Sequence, residues 1–325
     1  MLETKKFDVI IPVAKKDLSF LPRVVDYVNR CIDGINIIYV LTSNSHEKRI
    51  KNKLSRYHNC VIVDENRLIA GLDFDRVKIL LDKYAKNKQL SVGWYYQQFL
   101  KFAFAKSSIC SDYYLSWDAD TLPLAPINFF SSNHILFNPK KEYNPNYFKT
   151  INNLFGYGKV AEISFISESM MFCSAIVREM LNDIEKSNAK GDDWIEKIVS
   201  SCDFSSSIPA FSEFETYGSY CFIHYPDLYK MRHLNTFREA GMICGRRISE
   251  SRLRIMSFDI DMASFEMRDE PVFPLNIPHI LYRIKNNLFI SPKEFCYKIV
   301  RKLNPQSKID NIPDNILYRL PSRGE

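Results

Sequence analysis

The sequence has no C-x-x-C pair and no long apolar run, and each absence disfavours a class of protein. Its eight cysteines are scattered singly, mostly in apolar context, which argues against a disulfide framework or a zinc site and predicts reduced thiols in a cytoplasmic protein. No apolar run approaches the roughly 20 residues that a membrane-spanning helix needs. The polar first residues run directly into an apolar stretch, so we expect no signal peptide.

The remaining composition is that of a globular protein. Of the 325 residues, 46% are apolar and 25% are charged, which suits one large α/β domain or one domain with an appendage. The net charge of +6 is compatible with anionic small ligands, nucleic acid or an anionic membrane surface. Since the basic residues are dispersed and no recognised nucleic-acid motif occurs, we expect no nucleic-acid partner.

Apolar strands and amphipathic helices alternate in the first part of the chain. The stretches 7–13, 35–41 and 60–64 predict buried strands, and 18–31 and 45–56 predict helices between them. Strands separated by helices at this spacing predict an open, parallel α/β sheet. Ligands bind such sheets beyond the carboxyl ends of the strands, and polar residues follow every strand here.

A later strand, 113–117, leads directly into Asp118 and Asp120. Residues i and i+2 of a strand point the same way, so we expect these two carboxylates to converge. Two adjacent anions need a cation, and a hard divalent ion with oxygen ligands is the natural one. A solvated turn is the alternative for the motif alone, but its place on the ligand-binding edge of the sheet favours a site.

The rest of the chain supplies further predicted elements. We expect a helix over 93–105 with Gln97 and Lys101 on one stripe, an irregular functional connection over 126–161, strands over 163–166 and 169–172, and helices over 174–186 and 192–200.

A second acidic cluster follows, at the start of a helix or extended segment. Ser212 and Glu215 have the spacing of a capping box, which accounts for Glu215. Glu213 has no such structural role, and a carboxylate at a helix N-terminus stays ionised.

The character of the sequence changes from about residue 276, where basic residues interleave with aromatic and aliphatic ones. We therefore divide the chain into a domain over 1–275 and a C-terminal segment over 276–325. This segment either packs on the domain as terminal helices or is attracted to an anionic membrane surface.

Together these features resemble a GT-A-type glycosyltransferase with a D-x-D motif. The resemblance rests on the strand 7–13, the Gly-Trp-Tyr-Tyr-Gln-Gln helix start at 93–98, the motif 118–120 and the segment 212–218, and it covers roughly 7–250. The chain is similar to a group of little-characterised bacterial GT-A-like proteins found among surface-polysaccharide genes. The resemblance implies an open, mostly parallel sheet flanked by helices, with a Rossmann-like nucleotide-binding half and a C-terminal helical appendage.

The resemblance also implies a function and a site. It implies metal-dependent transfer of a sugar from a nucleotide-sugar donor to a saccharide or lipid-linked saccharide acceptor, in lipopolysaccharide or capsule synthesis. Asp120 would be the main ligand of Mn²⁺ or Mg²⁺, Asp118 would contact the ribose or the water shell of the metal, and His233 would be a further metal ligand. The residues assigned to the donor are Pro12, Val13, Asp17, Asp64, Gln97, Lys101 and Asp118.

An inverting transfer needs a carboxylate base for the acceptor hydroxyl. By position in the GT-A pattern, Glu213 matches best, Glu215 second and Glu168 third. The chain departs from better-known families because it has no Glu-Asp or Gln-x-x-Arg-Trp signature and no His-x-x-Gly-x-x-Lys motif. Inverting and retaining stereochemistry are therefore both open.

Two other functions remain as alternatives. One is a non-catalytic GT-A-like protein that binds a saccharide or a partner, against which the retained Asp118 and Asp120 pair argues. The other is an aspartate-based phosphatase of the haloacid dehalogenase type, whose Asp-x-Asp-x-Thr motif lies near the chain start rather than a third of the way along. For the transferase we expect a cytoplasmic location, with peripheral association at the inner face of the membrane.

Overall fold

The computed structural model describes residues 5–85, 90–206 and 208–266, and three isolated positions, 274, 277 and 281. These residues form a mixed α/β fold around a central, mostly parallel sheet, which confirms the predicted fold class. The strands are β1 (Phe7–Pro12), β2 (Ile35–Thr42), β3 (Cys60–Asp64), β4 (Tyr113–Trp117), β5 (Thr121–Pro123), β6 (Phe130–Ser131), β7 (His134–Phe137), β8 (Ser169–Cys173), β9 (Tyr229–Met231), β10 (Thr236–Phe237) and β11 (Met262–Ser264).

Ten α-helices lie within the described residues. They are α1 (Leu21–Cys31), α2 (Asn44–Leu54), α3 (Phe74–Ala85), α4 (Val92–Ala103), α5 (Pro145–Phe155), α6 (Ser174–Lys186), α7 (Trp194–Ser201), α8 (Glu213–His224), α9 (Ala240–Cys244) and α10 (Glu250–Met256). The helices next to the central sheet bury an apolar stripe against it, as Leu21, Val24, Val25 and Val28 do in α1. None of the helices in the described part of the chain has the length and apolar character needed to cross a bilayer.

The central sheet has the strand order β3-β2-β1-β4-β8. The first four strands are parallel, and β8 runs antiparallel to β4, with Trp117 opposite Ser169. Every residue of β1 is buried, because helices cover both faces of a parallel sheet. The carboxyl ends of the parallel strands therefore open at one edge.

Two small sheets complete the described fold. One has the order β10-β11-β5, and β5 begins one residue after Asp120. The other has the order β6-β7-β9. In the first of these sheets Ser264 lies opposite Thr121, which brings residues 264–266 next to the turn that carries the two aspartates.

Two predictions for the middle of the chain are wrong. The connection 126–161 is not irregular throughout, because it contains β6, β7 and α5. The stretch 163–166 is not a strand and makes only a bridge between Lys140 and Ser164. By contrast, β1, β2, β3, β4, β8 and α6 begin where the sequence predicts them.

The predicted C-terminal segment, 276–325, lies outside the described residues apart from Ile277 and Leu281, and so does the predicted boundary at 275. The division into two parts therefore stays a prediction, as does the attraction of this segment to a membrane.

Gly218 in α8 allows this helix to approach the chain at Phe165 closely. A Cβ at Gly218 would lie 2.1 Å from Phe165 Cγ, and the Phe165 ring is buried in contact with Phe137. We expect Gly218→Ala to lower the free energy of unfolding by about 1–3 kcal/mol, the usual cost of overpacking, as measured by urea denaturation. Gly93→Ala is the matched control, since nothing lies within 4 Å of a Cβ there. Equal stability of the two variants would contradict this close approach.

Candidate functional site

The strand order places a switch point between β1 and β4. The strands β2 and β3 lie on one side of β1, and β4 lies on its other side. In open α/β sheets, ligands bind in the crevice beyond the carboxyl ends of the strands at such a point. The loop 13–17 follows β1 here, and the turn 118–120 follows β4. The topology therefore brings both predicted segments to one candidate site.

Asp118 and Asp120 lie in a turn and not in the strand. Since β4 ends before Asp118, strand alternation does not orient the two carboxylates, and that premise of the sequence prediction is wrong. Backbone hydrogen bonds fix the turn instead. Thr121 N donates to the Asp118 carbonyl (3.2 Å), Asp118 N to the Glu168 carbonyl (3.1 Å), and Phe265 N to the Asp120 carbonyl (2.8 Å).

The Asp120 carboxylate is half-buried among other carboxylates. Burial raises the pKa of Asp120 to about 7, together with the charges of Asp17, Asp118 and Glu266, while Arg246 opposes this rise. Among the described residues, no lysine or arginine forms an ion pair with Asp120, whereas Asp118 pairs with Lys101, and Asp17 pairs with Arg246 and with Lys16. The site therefore carries excess negative charge, which a divalent cation would neutralise.

Arg246 is a buried arginine that anchors the loop after β1. Its Nη2 donates to Asp17 Oδ1 (2.5 Å), its Nε to the Phe265 carbonyl (2.6 Å) and its Nη1 to the Lys16 carbonyl (3.3 Å). Asp17 is buried as well, so this pair joins the loop after β1 to the segment between α9 and α10. The bond to Phe265 extends the link to the chain after β11. The predicted donor residue Asp17 is thus at the site, but it is engaged by Arg246.

Lys101 lies in the interior between two carboxylates from distant parts of the chain. Its Nζ donates to Asp118 Oδ1 (3.0 Å) and to Glu213 Oε1 (2.7 Å). The side chains of Lys101 and Glu213 are 3% and 2% exposed, whereas that of Asp118 is 29% exposed. The structure therefore brings together three predicted site residues, with only Asp118 facing outward.

The charges of this cluster are mutually dependent. Burial lowers the pKa of Lys101, but the charges of Asp118 and Glu213 outweigh it and leave that pKa above its ordinary value. Burial raises the pKa of Glu213, and Lys101 opposes this shift. The Gln98 amide also faces Glu213, with its nitrogen as the donor in the orientation that satisfies both groups. Lys101 is thus a charged link that holds Asp118 to α8.

Glu215, the second predicted base, has a structural role that differs from the expected one. Ser212 caps α8 as predicted, because its Oγ accepts from Glu215 N (3.3 Å). The Glu215 carboxylate does not reach back to the cap. Its Oε2 instead accepts from Ser164 Oγ (2.6 Å) and Phe165 N (3.1 Å). Glu215 is 1% exposed and holds the segment 164–165 against α8.

Three of the other predicted donor residues lie at the carboxyl edge of the sheet, and the fourth, Gln97, lies on α4. Pro12 ends β1, and Val13 is buried, with its carbonyl accepting from Thr42 Oγ1 (2.9 Å). Asp64 ends β3, two strands away from β1, and its side chain caps the 3₁₀ turn 65–67. Gln97 is half-buried on α4. Their contact with a nucleotide stays a prediction.

His233 is exposed in the segment between β9 and β10. The described residues contain no group of three His, Cys, Asp or Glu side chains arranged to hold a metal ion. The predicted ligands Asp118 and Asp120 could therefore supply only part of a cation site. Mg²⁺ is commonly held by one or two carboxylates together with substrate phosphates and water, so this pair fits a cation bound with a diphosphate. The role of His233 as a ligand stays a prediction.

Residues 29–243, about two thirds of the chain, match a family described as a family of unknown function, DUF6492. The chain belongs to this family. The matched region includes Lys101, Asp118, Asp120 and Glu213, and it ends before Arg246. No curated protein sequence matches the chain.

Three solved structures that are described as glycosyltransferases are similar to this DUF6492 chain. The apo structure of WbbM, a bifunctional glycosyltransferase, has a TM-score of 0.46 and 12% identity over 92% of this chain, which spans only 52% of the WbbM chain. Mouse xyloside xylosyltransferase 1 has a TM-score of 0.44 and 13% identity, over 80% of this chain and 97% of that one. LgtC, a galactosyltransferase solved with donor and acceptor sugar analogues, has a TM-score of 0.41 and 10% identity, over 90% and 99%. Since these scores are below 0.5, the three similarities carry no argument about function.

Sequence reasoning missed part of the charged surroundings in this DUF6492 protein. It ranked Glu168 only third among candidate bases and assigned no role to Lys140 or Arg238, yet both cations lie within 4 Å of Glu168. The sequence does contain a signal for Glu168, which is the polar residue directly before the apolar run of β8. In a strand antiparallel to β4, this position lies opposite Asp118. No local pattern marks Lys140 and Arg238, which come from separate connections.

Proposed function

We propose that the protein is a metal-dependent glycosyltransferase of the GT-A type that moves a sugar from a nucleotide-sugar donor to a saccharide or lipid-linked saccharide acceptor. One observation carries this proposal. Asp118 and Asp120 meet the loop after β1 at the switch point of the sheet, where other carboxylates surround Asp120. This position suits a nucleotide, and this charge suits a cation bound to its diphosphate.

Mn²⁺ or Mg²⁺ held by Asp118 and Asp120 would supply positive charge to the nucleoside diphosphate that leaves the sugar. The chain's own residues preorganise this site. Lys101 holds one oxygen of Asp118 from the interior, and Arg246 holds Asp17 and the loop after β1. Because these links are buried, the carboxylates keep their positions before the donor arrives.

Glu213 and Glu215 were predicted to activate the acceptor hydroxyl. A general base must come within hydrogen-bond reach of that hydroxyl, and both glutamates are 1% exposed with internal partners. Their arrangement favours a positioning role, in which Glu213 supports Lys101 and Glu215 supports the segment 164–165. The assignment of either as the base stays a prediction, with inverting and retaining courses both open.

The finer context of the proposal comes from the sequence resemblance. We place the transfer in bacterial lipopolysaccharide or capsule synthesis. We also place the protein in the cytoplasm, with peripheral association at the inner face of the membrane through the segment 276–325. A screen of nucleotide sugars would identify the donor sugar and its nucleotide.

A second candidate function is binding of a saccharide or partner without turnover. The burial of Glu213 and Glu215 favours it, since neither of these two predicted bases reaches the surface. This candidate and the transferase both allow a donor to bind, and they differ in whether the nucleoside diphosphate is released.

The test is a screen of nucleotide sugars against the purified full-length chain. We expect one of UDP-glucose, UDP-galactose, UDP-N-acetylglucosamine and GDP-mannose to stabilise the protein by about 2.7 kcal/mol at 100 times its Kd, with Mn²⁺ or Mg²⁺ and not with EDTA. Thermal unfolding measures binding, and release of UDP or GDP measures turnover. Release of UDP or GDP supports the transferase, and stabilisation without release supports the binding protein. No stabilisation by any donor contradicts the transferase.

A further inference from the structure

Glu168 lies beside Asp118 at the candidate site. The two lie at the facing ends of β8 and β4, and the Glu168 carbonyl accepts from Asp118 N (3.1 Å). Arg238 reaches Glu168 from the end of β10, and Lys140 reaches it from the connection after β7. Arg238 also interacts with Glu266, which is a charged neighbour of Asp120. This cluster therefore lies next to the turn that carries Asp118 and Asp120.

The contacts of Glu168 are much looser than those of Glu213. Lys140 Nζ lies 3.4 Å from both carboxylate oxygens of Glu168, and Arg238 Nε lies 3.5 Å from Oε1. Charge-assisted N–H···O bonds normally measure about 2.7–2.9 Å, and Lys101 approaches Glu213 to 2.7 Å. Glu168 thus retains capacity to accept shorter hydrogen bonds from a ligand.

In this cluster the carboxylate is buried and the two cations are more exposed. The Glu168 side chain is 4% exposed, whereas those of Lys140 and Arg238 are 16% and 40% exposed. Their charges balance when Glu142, the close partner of Arg238, is included. A balanced cluster favours a neutral polar ligand over a further anion. Adjacent sugar hydroxyls fit it, because each can donate to the carboxylate and accept from a cation.

We propose that Glu168, Arg238 and Lys140 form the subsite for the transferred sugar, with Glu168 accepting hydrogen bonds from two of its hydroxyls. This inference rests on the proposed function, since the aspartate pair beside the cluster would hold the diphosphate of the same donor. It also gives the third-ranked glutamate of the sequence a role in recognition of the sugar.

The test compares each nucleotide sugar with its own nucleoside diphosphate, in the presence of Mn²⁺. The probes are UDP-glucose, UDP-galactose and UDP-N-acetylglucosamine against UDP, and GDP-mannose against GDP. Calorimetry on the full-length chain gives the ratio of the two Kd values, which is the affinity gained from the sugar. We expect Glu168→Gln and Arg238→Gln each to reduce this gain by about tenfold or more, with the Kd for UDP or GDP unchanged.

Glu196→Gln is the matched control, because Glu196 is also buried and paired with a lysine, Lys83, but lies on α7. It should leave both Kd values unchanged. An unaltered ratio in Glu168→Gln and Arg238→Gln overturns the sugar subsite, as does an equal loss for the nucleotide and its sugar. If the wild-type protein binds UDP or GDP but gains no affinity from the sugar, only the subsite is contradicted. If it binds no nucleotide, both the proposed function and the subsite are contradicted.

Discussion

An Asp120→Asn variant is expected to lose metal-dependent donor binding and yet to be more stable than the wild-type protein when no metal is added. The loss follows because an amide is a poor replacement for the charged ligand of a hard cation. Removing one preorganised electrostatic contact to a leaving group costs on the order of 10²–10³ in rate, so turnover should fall at least that far. The release of UDP or GDP from the donor measures it.

The gain in stability follows from the direction of the Asp120 pKa. The folded protein holds the Asp120 proton up to about pH 7, because the pKa of Asp120 is raised to about 7 from the ordinary aspartate value of 3.8. Titration of Asp120 therefore lowers the free energy of unfolding as the pH rises from about 4 to 7. Above pH 7 this loss of stability is complete. The neutral amide escapes this penalty, so Asp120→Asn should unfold at a higher temperature at pH 8 with EDTA.

Asp259→Asn is the control for this prediction, since Asp259 is an exposed carboxylate after α10. It should change neither Tm nor donor release. An Asp120→Asn protein that keeps metal-dependent donor binding contradicts the cation site. One that is less stable than the wild-type protein at pH 8 contradicts the excess of negative charge around Asp120.

The part of the fold that local pattern determines was predictable from the sequence. The strands β1, β2 and β3 are short apolar runs followed by polar residues, and α1 has a clear helical stripe. In a parallel sheet these signals also fix the edge at which ligands bind, which is why the motif at 118–120 could be placed at a site. The prediction needed only the order of the elements and not their contacts.

The helix α5 was missed although its capping residues are present in the sequence. Asn144 caps it through its side chain, Pro145 occupies the first turn, and Gly156 ends it with a φ of 80°. These three residue types also occur in irregular connections, and the region was assigned on their presence. The order Asn-Pro at the start and Gly at the end of an 11-residue stretch is the more specific signal for a helix.

The pairing of the site residues could not be predicted, because it joins distant parts of the chain. Lys101 and Glu213 are 112 residues apart, and Asp17 and Arg246 are 229 apart. Nothing in the local sequence distinguishes a glutamate that neutralises a buried lysine from one that faces a substrate. Glu213 was therefore assigned as a base, whereas its position in the structure is inside, beneath Asp118.

This interior position leads to the second large effect. Lys101→Met should lower the free energy of unfolding by about 3–5 kcal/mol, because it leaves the Glu213 carboxylate buried without its cation. The double variant Lys101→Met/Glu213→Gln removes both charges and should recover most of this loss. Urea denaturation of the four proteins of this double-mutant cycle gives the coupling energy between the two residues.

The control is Lys83→Met, which removes a lysine of comparable ion-pair length, 2.7 Å, but with a side chain that is 59% exposed. Because the Lys83 side chain is largely in solvent, its pair with Glu196 contributes little, and the stability of this variant should change far less. A Lys101→Met protein as stable as Lys83→Met, or a double variant no more stable than Lys101→Met alone, would contradict the interior role of Glu213. In either case the Glu213 carboxylate would have to reach solvent, and it would again be available as the base for the acceptor hydroxyl.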